Sequence, residues 1–120
     1  MLRLTSTKDY TKLRQSQKKI VGQYFIVIYV PENNYMESAA GITVSKKVGN
    51  AVVRNKVKRR IRAFLRQYSL RPSIPGFICN IIALKPVISA DWISFKRDLQ
   101  NCLDRLINTL CHYQTKSPLL

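Results

Sequence analysis

The chain has 120 residues, 46% of them hydrophobic, and a net charge of +15 from 21 Lys and Arg against 6 Asp and Glu. That length suits one domain with a single modest core, and the apolar fraction excludes a disordered chain. The charge points to a polyanion, nucleic acid before an anionic membrane surface. The N-terminus has no apolar signal core, and the longest apolar runs, 24–30 and 81–84, fall far short of the ~20 residues a bilayer span needs. Cys79, Cys102 and Cys111 lack metal-site spacing, and with one histidine, His112, they leave little for zinc or His-based catalysis. Buried, reduced thiols in a cytoplasmic protein are the natural reading.

Ser6 or Thr7 caps a short first helix, with Asp9 in its first turn and Tyr10 and Leu13 on one side. Residues 24–30 (Tyr-Phe-Ile-Val-Ile-Tyr-Val) are β-branched and aromatic throughout and predict a strand. Phe25, Val27 and Tyr29 share one of its faces, and Ile26, Ile28 and Val30 the other. Pro31-Glu32-Asn33-Asn34 ends it in a turn. Gly41 to Ser45 alternates as a second strand with Ile42 and Val44 inward, and residues 35–38 are a candidate extension. A helix follows from about Ala51 to Tyr68, where Val53, Val57, Ile61, Phe64, Leu65 and Tyr68 form one apolar stripe. Pro72 and Pro75-Gly76 close that unit. Phe77 to Ala83 predicts a third strand, too apolar to have much face in water. Asp91 or Ser89 starts a last helix with a stripe of Trp92, Phe95, Leu99, Cys102, Leu103, Leu106 and Leu110. The expected fold class is α+β, a small sheet with helices mainly on one face. Residues 1–113 form a single domain, and 114–120 a tail expected to fray.

From Ser38 to Ala90 there is no acid, yet eleven Lys and Arg. On the central helix Asn55, Lys58, Arg59, Arg62 and Arg66 fall on one arc, opposite the apolar stripe. Arg54 and Lys56 crowd its start, beside Lys46 and Lys47 and just after Gly49-Asn50. Cations are poorly placed at a helix N-terminus, where the dipole is already positive. A phosphate bound there would meet both free backbone N–H groups and arginine forks. A solvated basic face is the bland alternative, and a nuclear-localisation-type tag a second. A DNA-reading helix has no preceding helix-turn-helix partner here, whereas RNA readers of this size set a helix against structured backbone and a sheet against an unpaired strand. Phe25, Tyr29 and Tyr10 are candidates to stack unpaired bases, with burial in the core as the alternative for each. No Ser-His-Asp set, phosphate-binding glycine loop or carboxylate pair in a basic setting occurs. Asp91, Asp98 and Asp104 read as cap and surface charges.

The run Gly41-Ile42-Thr43-Val44-Ser45-Lys46-Lys47-Val48-Gly49-Asn50-Ala51-Val52-Val53-Arg54-Asn55-Lys56-Val57-Lys58-Arg59-Arg60-Ile61-Arg62 closely resembles the signature of bacterial ribonuclease P protein subunits. Arg3-Leu4, Lys8-Asp9-Tyr10, Phe25 to Tyr29 and Ile82-Ala83 with Pro86 resemble that family's other landmarks, in order. The resemblance implies an α-β-β-β-α-β-α order, a ribosomal-protein-like two-layer sandwich with a left-handed crossover through the basic helix. It also implies a subunit that binds the catalytic RNA of ribonuclease P and the 5′ leader of precursor tRNA, with no membrane partner. Endonucleolytic removal of the leader would be carried by the RNA and its Mg²⁺ ions, with no catalytic residue and no bound metal in the protein. Position by position, Lys46, Lys47, Arg54, Asn55, Lys56, Lys58, Arg59 and Arg62 match the family's contacts to the catalytic RNA, and the charge reading adds Asn50 and Arg66. Tyr10, Leu13, Val27, Tyr29 and Thr43 match the cleft that takes the leader, to which Phe25 and Arg14 are added. Arg14 stands where the family often has a cleft phenylalanine, Gln17 where it often has glycine, Leu84 where it usually has arginine, and Lys56 gives up a bidentate fork for a point charge. Two other readings stay open. One is a structural RNA-binding protein of ribosomal type without a processing role. The other, a free-standing protein nuclease, is disfavoured by the missing catalytic constellation.

Overall fold

The computed structural model describes residues 1–32, 38–68 and 76–115. The expected turn at Asn33-Asn34, the extension over 35–37, Pro72, Pro75 and the final 116–120 lie outside the described residues, as does the His112 side chain.

The elements run β1 (Leu2–Arg3), α1 (Thr7–Gln15), β2 (Lys19–Val21), β3 (Phe25–Pro31), β4 (Ala39–Thr43), α2 (Ala51–Gln67), β5 (Phe77–Ala83), a 3₁₀ turn (Lys85–Ser89) and α3 (Trp92–Thr115). The strands form one mixed sheet in the order β1-β4-β5-β3-β2. β5 is central, antiparallel to β3 and parallel to β4, and it is buried along most of its length, with only Asn80 and Ile82 half-buried. The parallel β4–β5 pair needs a crossover, and α2 supplies it.

The structure differs from the sequence reading at three places. β1 and β2 are too short to show a period; β2 buries only Ile20. β4 begins two residues earlier than expected because Ala39 and Ala40 pair with Ile78 and Cys79. α3 continues through Gln114 and Thr115, into what was expected to be a frayed tail.

The sheet buries its two faces unequally. On one side α2 and α3 cover Phe25, Val27 and Tyr29 of β3 together with Phe77, Cys79 and Ile81 of β5. Val57, Ile61 and Phe64 from α2 and Phe95, Leu99, Leu103 and Leu106 from α3 complete that core. The Phe25 and Phe95 rings meet edge to face, 5.0 Å between centroids. On the other side the short α1 covers only part of the sheet, packing Leu13 and Leu4 on Ala39 and Ile78 with Ile28 and Val30 alongside.

The acids serve the fold. Asp91 caps α3, its carboxylate accepting from the Ser94 N–H at 2.7 Å, which holds its pKa below the usual range. Asp98 accepts from the Gln23 and Tyr24 N–H groups at 2.9 and 2.8 Å and so fastens the β2–β3 turn to α3. A Cβ at Gly22 would come within 2.8 Å of that carboxylate and 2.5 Å of Cys102 Sγ, so the turn needs glycine. Asp104 accepts from the Tyr68 hydroxyl at 2.6 Å, and Glu32 pairs with Lys12 at 2.9 Å. Burial raises the thiol of Cys79 to about 12; burial and then Asp98 raise that of Cys102 to about 11. Both are inert packing groups at neutral pH. No helix among the described residues is long and apolar enough to cross a membrane.

Candidate nucleic-acid interface

The sequence of α2 contains no acid, and its buried residues, Val57, Ile61 and Phe64, all belong to the core it shares with the sheet and α3. Asn55, Lys56, Arg59, Arg62 and Arg66 are exposed on the remaining surface, and Lys58 is half-buried at its border. The core stripe therefore fixes the rotation of the helix, and the rotation presents the cations as one ridge. Lys46 and Lys47 stand exposed on the turn between β4 and α2, because Val44 and Val48 on either side of them are buried and pin its ends.

The start of α2 differs from expectation in one respect. The Asn50 side chain accepts from the Val53 N–H at 3.0 Å, so Asn50 is the helix cap and occupies one of the donors a phosphate would use. Arg54, one turn in, is half-buried, and its Nε is shielded from solvent with no hydrogen-bond partner. An orphaned guanidinium N–H of this kind costs roughly 1–3 kcal/mol, and an acceptor brought by a ligand would satisfy it.

The second candidate surface is the part of the sheet that α1 leaves uncovered. Register places Thr43 of β4, Asn80 and Ile82 of β5, and Ile26 and Ile28 of β3 side by side on this face. The Thr43 hydroxyl donates to Asn80 Oδ1 at 3.0 Å. Tyr10 stands at its edge, its hydroxyl hydrogen-bonded to the Leu4 carbonyl at 3.4 Å. The ring lies so close over Gly41 that a Cβ there would sit 2.8 Å from Cε1 and Cζ, which accounts for glycine in this strand. Arg14 is exposed on α1, donating to the Thr11 hydroxyl at 3.1 Å. A hollow of about 510 Å³ at the β1–β4 edge is lined by Tyr10 and Gly41 on one side and Arg62 and Arg66 on the other, joining the two surfaces.

Four expected cleft residues are not on this face. Phe25 and Val27 are fully buried and Tyr29 is 6% exposed, all beneath α2 and α3, where no nucleotide reaches. Burial also raises the Tyr29 phenol above its usual pKa. Leu13 is 2% exposed, sealed between α1 and the sheet. The strand alternates as expected, but alternation alone does not say which face is covered, and choosing the wrong one inverts every side chain. Ile26, Ile28, Asn80 and Ile82 were missed for that reason. Asn80 carried a usable signal, as the lone polar residue in the Phe77–Ala83 strand.

No three His, Cys, Asp or Glu side chains come together among the described residues.

A family model described as Ribonuclease P matches residues 1–107. Among relatives named ribonuclease P protein component, that of Citrifermentans bemidjiense is 39% identical over 104 residues, 87% of each chain. That of Geotalea uraniireducens is 35% identical over 105 residues, 87% of this chain and 89% of the relative. The solved ribonuclease P protein of Staphylococcus aureus superposes with a TM-score of 0.77 at 25% identity, covering 88% of this chain and 95% of that one. The protein from Thermotoga maritima gives 0.73 at 29% identity, covering 88% and 97%.

Proposed function

The chain belongs to the ribonuclease P protein family, and from that premise we propose that it binds the catalytic RNA through α2 and the 5′ leader of precursor tRNA along the open sheet face beside α1. In a cytoplasmic holoenzyme it assists Mg²⁺-dependent removal of the leader. The observation that carries this reading is the division of labour among the charges. Asp91, Asp98, Asp104 and Glu32 are spent on caps, turns and pairs elsewhere, and the ridge of α2 and its preceding turn keeps Lys46, Lys47, Arg54, Lys56, Lys58, Arg59, Arg62 and Arg66 without an acid of its own element to neutralise them. Such a surface gains most from phosphate, by releasing counterions from the RNA.

The hydrolytic step belongs to the RNA and the Mg²⁺ ions it holds; the protein's part is to position and neutralise. Phosphates of the catalytic RNA lie along α2, with Arg54 and Arg59 as forks and Lys56 and Lys58 as point charges. The leader strand crosses Thr43, Asn80, Ile26 and Ile28, with Tyr10 at the edge and Arg14 toward its backbone. The aliphatic floor offers van der Waals contact, and the Asn80 amide is the group able to read a base edge.

Reconstitution tests the reading. Added to the catalytic RNA at low Mg²⁺, the protein should raise the rate of leader removal from precursor tRNA. Tight binding with no stimulation would instead mark an RNA-binding protein without a processing role.

A further inference from the structure

Trp92 is the single tryptophan of the chain. It opens α3, yet unlike Phe95, Leu99 and Leu103 on the same stripe it is 37% exposed. Part of the indole rests on Phe95, with centroids 5.3 Å apart. The Arg60 guanidinium lies 5.9 Å from the ring centroid and the Lys96 ammonium 5.3 Å. A shallow hollow of about 420 Å³ beside the ring is lined by Lys56, Arg59, Arg60, Ala63 and Arg66 of α2. Ile88 and Ile93, near in sequence, are exposed as well. The adjacent acid, Asp91, has both carboxylate oxygens engaged by Ser94.

An exposed indole needs a reason. Packing alone would favour a smaller side chain or a fully covered ring, since an indole left in water forgoes burial worth about 25 cal/mol per Å². No acid lines this hollow; apart from Ala63 and the indole itself its wall is cationic. Flat aromatic surface flanked by cations is the arrangement that holds an unpaired nucleobase by its face and the flanking phosphates by charge.

We propose that Trp92 is a stacking platform for an unpaired nucleotide of the catalytic RNA, with Arg60 and Lys96 moving from the ring to the phosphates on either side of that nucleotide. The proposal rests on α2 being the face that meets the catalytic RNA, and it extends that contact from the helix ridge onto the start of α3. The catalytic RNA is the source rather than the leader, because Trp92 packs in the α2–α3 layer, across the sheet from α1 and the open face. The stacked base adds a contact that charge does not govern.

The sole tryptophan makes the test direct. Titration of the full chain with catalytic RNA should quench Trp92 emission, as should an oligoadenylate, whereas heparin, a polyanion without bases, should not. Trp92→Leu should weaken binding to the catalytic RNA about tenfold with an unchanged salt slope, and Trp92→Phe should recover most of the loss. Equal quenching by heparin, an unquenched signal in the RNA complex, or unaltered affinity in a folded Trp92→Leu chain would overturn the assignment. Quenching by precursor tRNA alone but not by catalytic RNA would overturn the choice of partner. Arg59→Ala is the control: if it too leaves affinity unchanged, the α2 reading itself has failed, and if it weakens binding while Trp92→Leu does not, only the platform has.

Discussion

Phe25 and Ile26 are neighbours on β3 with opposite fates, and substituting each separates core from cleft. Phe25 is fully buried against Phe95, so Phe25→Ala opens a cavity costing about 3–5 kcal/mol. That is a large part of the roughly 5–15 kcal/mol that holds a domain of this size together. Phe25→Leu keeps most of the volume and should cost about 1–3 kcal/mol, leaving a folded chain for binding assays. Ile26 is half-buried on the open face, opposite Ile82. Ile26→Ala removes three carbons at ~0.8 kcal/mol each when fully covered; if a bound strand covers about half of that surface, the loss is ~1 kcal/mol, or about fivefold in affinity. Urea unfolding and binding of leader-bearing and mature tRNA by the reconstituted holoenzyme should therefore diverge. Phe25→Leu lowers stability and treats the two tRNAs alike, while Ile26→Ala weakens the leader-bearing form selectively at little cost in stability. A stable Phe25→Leu chain that loses leader discrimination would refute the assignment of faces.

Asp98→Ala strips the acceptor from two backbone N–H groups and should destabilise by about 3 kcal/mol in urea melts, with Asp98→Asn recovering part; a neutral effect would mean the β2–β3 turn is held by something else. Asn80→Val removes the one amide of the cleft floor, the partner of the Thr43 hydroxyl, and should change preference among leader nucleotides near the cleavage site more than affinity for mature tRNA, read by competition among precursor variants. The raised thiol of Cys79 has a sign. Below the ordinary pKa near 9 both folded and unfolded chains hold the proton. Between pH 9 and about 12 only the folded chain does, so stability falls as pH rises. Thermal melts at pH 8 and pH 10 should then show a smaller loss in Cys79→Ala than in the parent chain, and equal losses would exclude Cys79 as a contributor.

Much of this was legible in the sequence because periodicity and charge are local. The stripe from Val53 to Phe64 determined both the α2 helix and the side on which Lys58, Arg59 and Arg62 would stand. The apolar run Phe77–Ala83 reads as a strand with little face in water; it is the central one, buried on the α2–α3 side, while Asn80 and Ile82 on its other face are only half-buried. What failed was tertiary. β3 is apolar on both faces, and the choice between Phe25/Val27/Tyr29 and Ile26/Ile28/Val30 depended on where α2 and α3 would lie. Phe25 and Tyr29 have rings suited to bases but fill the larger core instead, and only Tyr10 stands at the edge of the open face. Asn50 looked like part of a phosphate site and proved first to be a cap. Trp92 reads as the first residue of an apolar stripe, and nothing local shows that Arg60 of α2 comes to lie beside its ring.

The dependence of catalytic-RNA affinity on salt tests the central claim most directly. If the α2 ridge and the Lys46-Lys47 turn neutralise about six to ten phosphates, log K against log salt should fall with a slope of roughly −5 to −8. Arg59→Ala or Arg62→Ala should weaken binding and make that slope shallower by about one unit each. A nearly flat slope, or a steep one untouched by either substitution, would mean that the acid-free ridge of α2 is not where this chain meets its RNA.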